Sequence, residues 1–188
     1  MIVLSLTRHG QTVENLSGIL QGQHAGHLNS TGVRQALHLR DTLHAADYDL
    51  FLSSDLERAR LTALLVNSRL HLPLRFTPLL RERDWGCFTG VNVRTITMPP
   101  SQFPPDIEDG PRLAARAKAF LTFIFQHYDG KRLLCMGHGY FNRCIQAMIQ
   151  QTSVHDTPRW GNTEVRTFSI TRETLSHPCP TDFLISEN

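Results

Sequence analysis

The stretch "IVLSLTRHGQTVEN", residues 2–15, decides the reading of this chain. Ile2 to Leu6 is an apolar run of strand length. The chain then turns abruptly polar at Thr7, Arg8, His9, Gly10, Gln11 and Thr12. An arginine and a histidine side by side at a strand end, with a glycine straight after them, call for a reason. The rest of the pattern supplies one. A helix is expected over 30–45, with apolar or small residues at Val33, Ala36, Leu37, Leu39 and Leu43 and Ser30 or Thr31 as the expected N-cap. A second strand is expected at 49–52, a helix at 55–70, a short extended piece at 72–76 and a helix from Pro111 to about Tyr128. Asp129-Gly130 closes that helix. A buried strand at 132–136, a helix at 139–150 and an alternating strand at 163–171 complete the pattern. After Arg172 the signals weaken to a short strand or a loose tail.

Strands alternating with helices of ten or more residues imply an α/β fold with a mostly parallel sheet and helices on both faces. Ligands in such folds bind outside the carboxyl ends of the strands. Arg8 and His9 follow the first strand, Ser53 and Ser54 the second, and Gly137 and His138 a third, so these residues should meet in one crevice. The 188 residues fit one domain over 1–188, with five prolines between Pro99 and Pro111 marking an irregular lid or loop at about 90–110.

Composition excludes several classes. The formal net charge of +2 is too small for a nucleic-acid binder unless concentrated on one face. No apolar run reaches the roughly eighteen residues of a membrane span, and Ile2 to Leu6 is too short for a signal peptide, so a cytoplasmic location is expected. Cys87, Cys135, Cys144 and Cys179 form no CxxC pair and read as free thiols. Nothing bears on oligomeric state, and a homodimer stays open.

The expected crevice holds two imidazoles, His9 and His138, and two guanidinium groups, Arg8 and Arg58. Asn15, Ser54 and the backbone near Gly10 and Gly139 add donors. Such a pocket suits an anion with several oxygens, because guanidinium binds phosphate bidentately and a helix starting at Gly139 would turn free N–H groups toward it. Metal binding fits poorly: the arginines would repel a dication, and no carboxylate adjoins either histidine. His24 and His27 read as solvated loop residues. Ser54 with a histidine and Asp55 could be drawn as a triad, but the G-x-S-x-G elbow is missing. Phosphoryl transfer to histidine remains. Arg8 would hold the phosphate, His9 would attack it, and Gly10 would let the chain turn tightly around it. The arginines would keep the imidazole neutral. No metal and no cofactor are needed.

Six segments resemble one family in its order: "LTRHGQTVEN", "LQGQHAGHLNSTGVRQA", "FLSSDLERARLTA", "LLRERDWGCFTG", "LLCMGHGYFNR" and "WGNTEV". The family is the histidine phosphatase superfamily, also called phosphoglycerate mutase-like, a three-layer sandwich. The resemblance covers Met1 to about Thr171. It implies that His9 is phosphorylated, that Arg8, Arg58 and His138 bind the phosphate, and that Asn15 donates to it. It implies that Glu82 protonates the leaving group and then activates water. Gln21, Gly22 and Gly139 are further contacts on the same basis. Without the resemblance, Glu82 would read as part of a solvated "RERD" cluster. Trp85 and Phe88 read as core packing, with the pocket mouth as the alternative. Two features depart from the family. Tyr140 stands where a small or amide residue is usual, and would narrow the site or reach the substrate. "IEDGPRL" matches the family's acidic motif poorly at Glu108 and Asp109. The expected activity is hydrolysis of a small phosphate ester through a phosphohistidine. Mutase-type phosphoryl transfer and a non-catalytic phospho-ligand module are the alternatives.

Overall fold

Five strands form one sheet in the computed structural model, which describes residues 1–176. They are β1 (Ile2–Arg8), β2 (Leu50–Ser54), β3 (Leu74–Thr77), β4 (Arg132–Gly137) and β5 (Val165–Ile170), in the order β3-β2-β4-β1-β5. All neighbouring pairs are parallel except β1 with β5. Helix α1 (Val13–Leu16) is a single turn after β1. Helices α2 (Ser30–Thr42) and α3 (Glu57–Leu70) cover one face, and α4 (Gly110–Tyr128) and α5 (Gly139–Gln150) cover the other. The α/β sandwich expected from the alternation is the observed one.

Strand β4 shows why its sequence reads as a continuous apolar run. Leu133 and Cys135 point into the core under α4 and α5, while Leu134 and Met136 point into the core under α2 and α3. A central parallel strand has no wet face, so both halves of its two-residue period are apolar. Strand β1 differs. Ile2, Leu4 and Leu6 fill one core, but Ser5 and Thr7 occupy the other side, where the Ser5 hydroxyl pairs with the Thr167 hydroxyl at 2.8 Å.

Several boundaries move. β1 runs to Arg8 and β2 to Ser54, because the ladder pairs Arg8 with Gly137 and Ser53 with Met136. Polar residues at these ends had hidden the pairing. The cap of α2 is Asn29, not Ser30 or Thr31: its Oδ1 accepts from Gly32 N at 2.8 Å, while its Nδ2 donates to the Gln11 side chain. Asp109 caps α4 in the same way, accepting from Arg112 N. The tail forms a helical turn, α6 (Glu173–Ser176), rather than a strand, and the rest of it, with Cys179, lies outside the described residues. Cys87, Cys135 and Cys144 are free thiols.

The segment 90–110 is irregular, with single turns of 3-10 helix at Val93–Thr95 and Pro100–Gln102. It is nevertheless stitched down. Leu20 N donates to Val91 O, Gly90 N to Leu20 O, Val93 N to Gly18 O, and Glu108 N to Asp84 O. Among the described residues no helix is long and apolar enough to cross a membrane.

Chain direction explains what reaches the carboxyl edge of the sheet. α5 starts there and runs away from it, ending in a left-handed residue at Gln151 (φ 54°). The connection 151–164 climbs back, so β5 must descend antiparallel, from Val165 beside Thr7 to Ile170 beside Ile2. That return delivers residues 157–163 to the same edge as Arg8 and His9.

Candidate active site

The carboxyl ends of β1, β2 and β4 meet as expected. They wall a cavity of about 230 Å³ that exposes Arg8, His9, Asn15 and Arg58 from one side and Glu82, Gly139 and Tyr140 from another. His138 lies beside His9, the rings edge to face with centroids 5.1 Å apart.

His9 is held at every polar point of its backbone. Its N–H donates to Gly137 O at 3.1 Å, and its carbonyl accepts from Asn162 Nδ2 at 2.9 Å. The ring Nδ1 lies 2.7 Å from the carbonyl of Gly10. A carbonyl only accepts, so Nδ1 carries the proton and the lone pair sits on Nε2. Burial depresses the ring's pKa well below 6.5, and the charges of Arg58 and Arg8 push it the same way. The imidazole is therefore neutral and of fixed tautomer.

His138 is neutral for the same reasons, burial first and then Arg58, His9 and Arg8. Its Nε2 is 2.9 Å from the Ser54 hydroxyl, which accepts from Leu56 N. The hydroxyl proton is free to go to Nε2, which places the ring's own hydrogen on Nδ1. That atom is buried with no partner among the described residues.

The guanidinium groups are built in by backbone carbonyls rather than carboxylates. Arg58, 1 % exposed, donates to Gly22 O at 2.7 Å and to His24 O at 2.6 Å. Burial lowers its pKa to about 10, so it stays charged at neutral pH. Arg8 donates to Trp160 O at 2.7 Å. Nε of both arginines is buried without a partner among the described residues. Each guanidinium thus keeps unspent donor capacity beside the neutral ring.

Glu82 accepts three backbone hydrogen bonds, from Tyr140 N at 3.1 Å, Phe141 N at 3.0 Å and Arg83 N at 2.9 Å. This corrects one expectation. The first amides of α5 are not free for a bound anion, because two of them hold Glu82. The "RERD" cluster is no solvated face either. Arg116 grips the backbone of Arg81 and Glu82 and forms a two-point pair with Glu108, at 2.8 and 2.7 Å. The poorly matching Glu108 is therefore a brace for the Glu82 loop, and it also accepts from Asp84 N.

The remaining expected residues divide. Asn15 lines the cavity; its Oδ1 accepts from Thr12 N and its own N–H donates to the Thr12 hydroxyl, a capping box that leaves Nδ2 as the donor. Gln21 lines the cavity with Oε1 buried and without a partner among the described residues. Gly22 lies at φ 52°, and its carbonyl serves Arg58. At Gly139 a side chain would meet the Arg8 guanidinium at about 3.2 Å. Gly10 needs correcting: its φ is ordinary, and what requires glycine is Gly32, whose carbonyl would sit 2.5 Å from a Cβ. Tyr140 lines the cavity, its ring 6.3 Å from Trp85. Trp85 itself lines the cavity instead of lying in the core, while Phe88 packs edge to face against Phe103. Arg143, Arg159 and Trp160 were not foreseen as wall residues. Only the "WGNTEV" block pointed toward them. Ser54 holds His138, and His24 lends only its carbonyl. Among the described residues no group of three or more His, Cys, Asp or Glu side chains could hold a metal ion.

The family model of the histidine phosphatase superfamily, branch 1, matches residues 4–177. The chain belongs to that family. This histidine phosphatase is 32 % identical over 157 residues to the uncharacterized phosphatase PhoE of Bacillus subtilis, covering 83 % of this chain and 80 % of the relative. It is 31 % identical over 161 residues to the adenosylcobalamin/alpha-ribazole phosphatase of Escherichia coli, covering 78 % of each. Its fold superposes on Bacillus stearothermophilus YhfR with a TM-score of 0.80 at 23 % identity, over 92 % of this chain and 93 % of that one.

Proposed function

We propose that this chain is a metal-independent phosphomonoesterase that hydrolyses a small phosphorylated metabolite through a phosphohistidine at His9. The observation that carries the reading is the His9 ring, neutral, with Nδ1 bound to Gly10 O and the Nε2 lone pair beside two guanidinium groups. Nε2 attacks phosphorus while the bond to the leaving oxygen breaks. Glu82 gives that oxygen a proton, so an alcohol departs rather than an alkoxide. Water then attacks the phosphorus of phospho-His9, Glu82 takes the water's proton, and inorganic phosphate leaves with His9 restored. Arg8, Arg58 and His138 donate to the phosphoryl oxygens, whose charge shifts in the transition state. Asn15 adds one more donor, and Gln21, Gly22, Gly139 and Tyr140 shape the pocket around the ester.

The test is a rapid acid-and-base quench during turnover of a radiolabelled phosphate ester, with chelator present. The expected label is acid-labile, base-stable and on His9. A label on Ser54 or on a cysteine, or activity that needs added metal, would overturn the reading. With 3-phosphoglycerate and a bisphosphoglycerate primer, isomerisation faster than hydrolysis of any ester would favour the mutase alternative.

A further inference from the structure

The cavity holds more positive charge than one phosphoryl group needs. Arg8 and Arg58 match a phosphate dianion, and among the described residues Glu82 is the one acid on the wall. Arg143 and Arg159 remain. Neither has a carboxylate partner among the described residues, whereas Arg81 and Arg116, just below the rim, are both paired to acids.

One of the two guanidinium groups is held in place by its own hydrogen bonds, the other only through its backbone. Arg143 Nε donates to Thr157 O at 3.1 Å and Nη2 to Val154 O at 2.6 Å, which fixes the guanidinium plane and leaves Nη1 unspent. The side chain of Arg159 is exposed, but its backbone is clamped. Arg166 donates to the carbonyls of Pro158 and Arg159 and lies 4.3 Å from the Trp160 ring centroid, while Arg8 takes Trp160 O. Two guanidinium groups facing one cavity form a second anion site, in which the fixed fork of Arg143 spends little side-chain entropy on binding and Arg159 closes from a clamped backbone.

Resting on the phosphatase reading above, we infer that Arg143 and Arg159 receive a carboxylate or second anionic group on the leaving-group side of the ester. Arg8 and Arg58 keep the phosphoryl group. The substrate is then a phosphomonoester whose alcohol carries its own negative charge.

The test uses 3-phosphoglycerate and glycerol 3-phosphate, which differ by one carboxylate. Binding is measured by calorimetry to His9→Ala in phosphate-free buffer, where turnover cannot intervene. The carboxylated ester should bind about tenfold more tightly. That ratio should fall toward one when Arg159→Gln or Arg143→Gln is added, and survive in Arg159→Lys at low salt. Equal affinities for the two esters, no measurable affinity for either, or a ratio untouched by Arg159→Gln would overturn the inference. Arg159 is exposed, so its variants stay informative even where Arg143→Gln does not fold. Normal turnover of nitrophenyl phosphate with equal affinities would sink this inference alone. A retained carboxylate preference with no turnover of any ester would sink the phosphatase reading alone.

Discussion

At the floor of the pocket His9, Arg58 and His138 are each at most 2 % exposed, and their places are set by strand ends and backbone carbonyls. At the rim Arg159 is exposed and Trp85 and Tyr140 are half-buried or better, and beyond Trp85 a second cavity is lined by Met98, at 41 % exposed. The floor spends its polar groups on holding a neutral imidazole among cations. The rim, Arg143 apart, spends little on fixing side chains. On the proposed reading, the difference places the chemistry at the floor, around the strand ends, and the selectivity at the rim. A change at the floor should therefore act on rate for every ester, and a change at the rim on affinity for particular ones.

The sharpest test of that division is His9→Ala. Hydrolysis of every ester should fall by on the order of 10⁴-fold or more, because the covalent route is gone. The thermal midpoint should stay close to that of the parent, since the lost ring leaves the apolar cores untouched. Comparable activity in the variant would remove His9 from its role, and with it the special status of the floor.

Glu82 lies between the two regions, tied to α5 yet lining the cavity. In Glu82→Gln, formation of phospho-His9 from alkyl phosphates should slow by about 10²- to 10⁴-fold, the usual worth of a general acid. A nitrophenyl ester, whose leaving group needs no proton, should lose far less in a single-turnover burst. Equal slowing for both esters, or the same pattern in Asp84→Asn instead, would assign the proton elsewhere.

The neutral imidazoles also leave a mark on stability. His9 and His138 titrate at 6.5 in the unfolded chain and well below that when folded. Between those values the unfolded chain binds more protons, so stability rises with pH there. It is complete above pH 6.5 and drains away as pH falls below it, by up to about 1.4 kcal/mol per pH unit for each imidazole. Urea midpoints from pH 7.5 to 5 in phosphate-free buffer should show this slope, and His9→Ala should lose one imidazole's share. An unchanged slope would mean that His9 is not kept neutral by the floor.

The smallest expected effect lies at the rim. Trp85→Ala removes a ring that lies near Phe103, Tyr140 and the Arg83 guanidinium. KM for aromatic esters should rise about fivefold, the equivalent of about 1 kcal/mol of ring contact, with kcat within about twofold. A loss confined to kcat would show that the rim reaches the chemistry after all.

The floor was legible because its residues sit next to one another or at the ends of apolar runs. Arg8-His9-Gly10, Ser53-Ser54 and Gly137-His138-Gly139 each announce a strand end, and the topology does the rest. What was hidden has a physical cause in each case. Arg143 reads as an outward helix residue until the 151–164 return brings Val154 and Thr157 alongside it. Arg159 depends wholly on that return, which has no periodicity of its own. Glu108 looked like a failed motif because its partner, Arg116, sits two helical turns along α4 and braces a loop far away in sequence. Gly10 was assigned a tight turn, whereas its need comes from the approach of Gly32, a contact no local pattern encodes.

The position of β1 also dictates when the site can exist. It precedes the other four strands in the chain, yet it lies between β4 and β5, whose pairing residues begin at Arg132 and Val165. Its hydrogen-bonding partners on both sides are thus made more than a hundred residues later. As the chain leaves the ribosome, Arg8 and His9 have no ladder to sit in, and Asn162, which holds the His9 carbonyl, emerges after nearly all of the sheet. Such distant pairing carries a high loop-closure cost and slows folding. The segment that carries Arg8 and His9 is therefore made well before its partners and is among the last to become ordered, so a nascent chain that stalls before residue 162 holds Arg8, His9, Arg58, Glu82 and His138 but not the geometry that joins them.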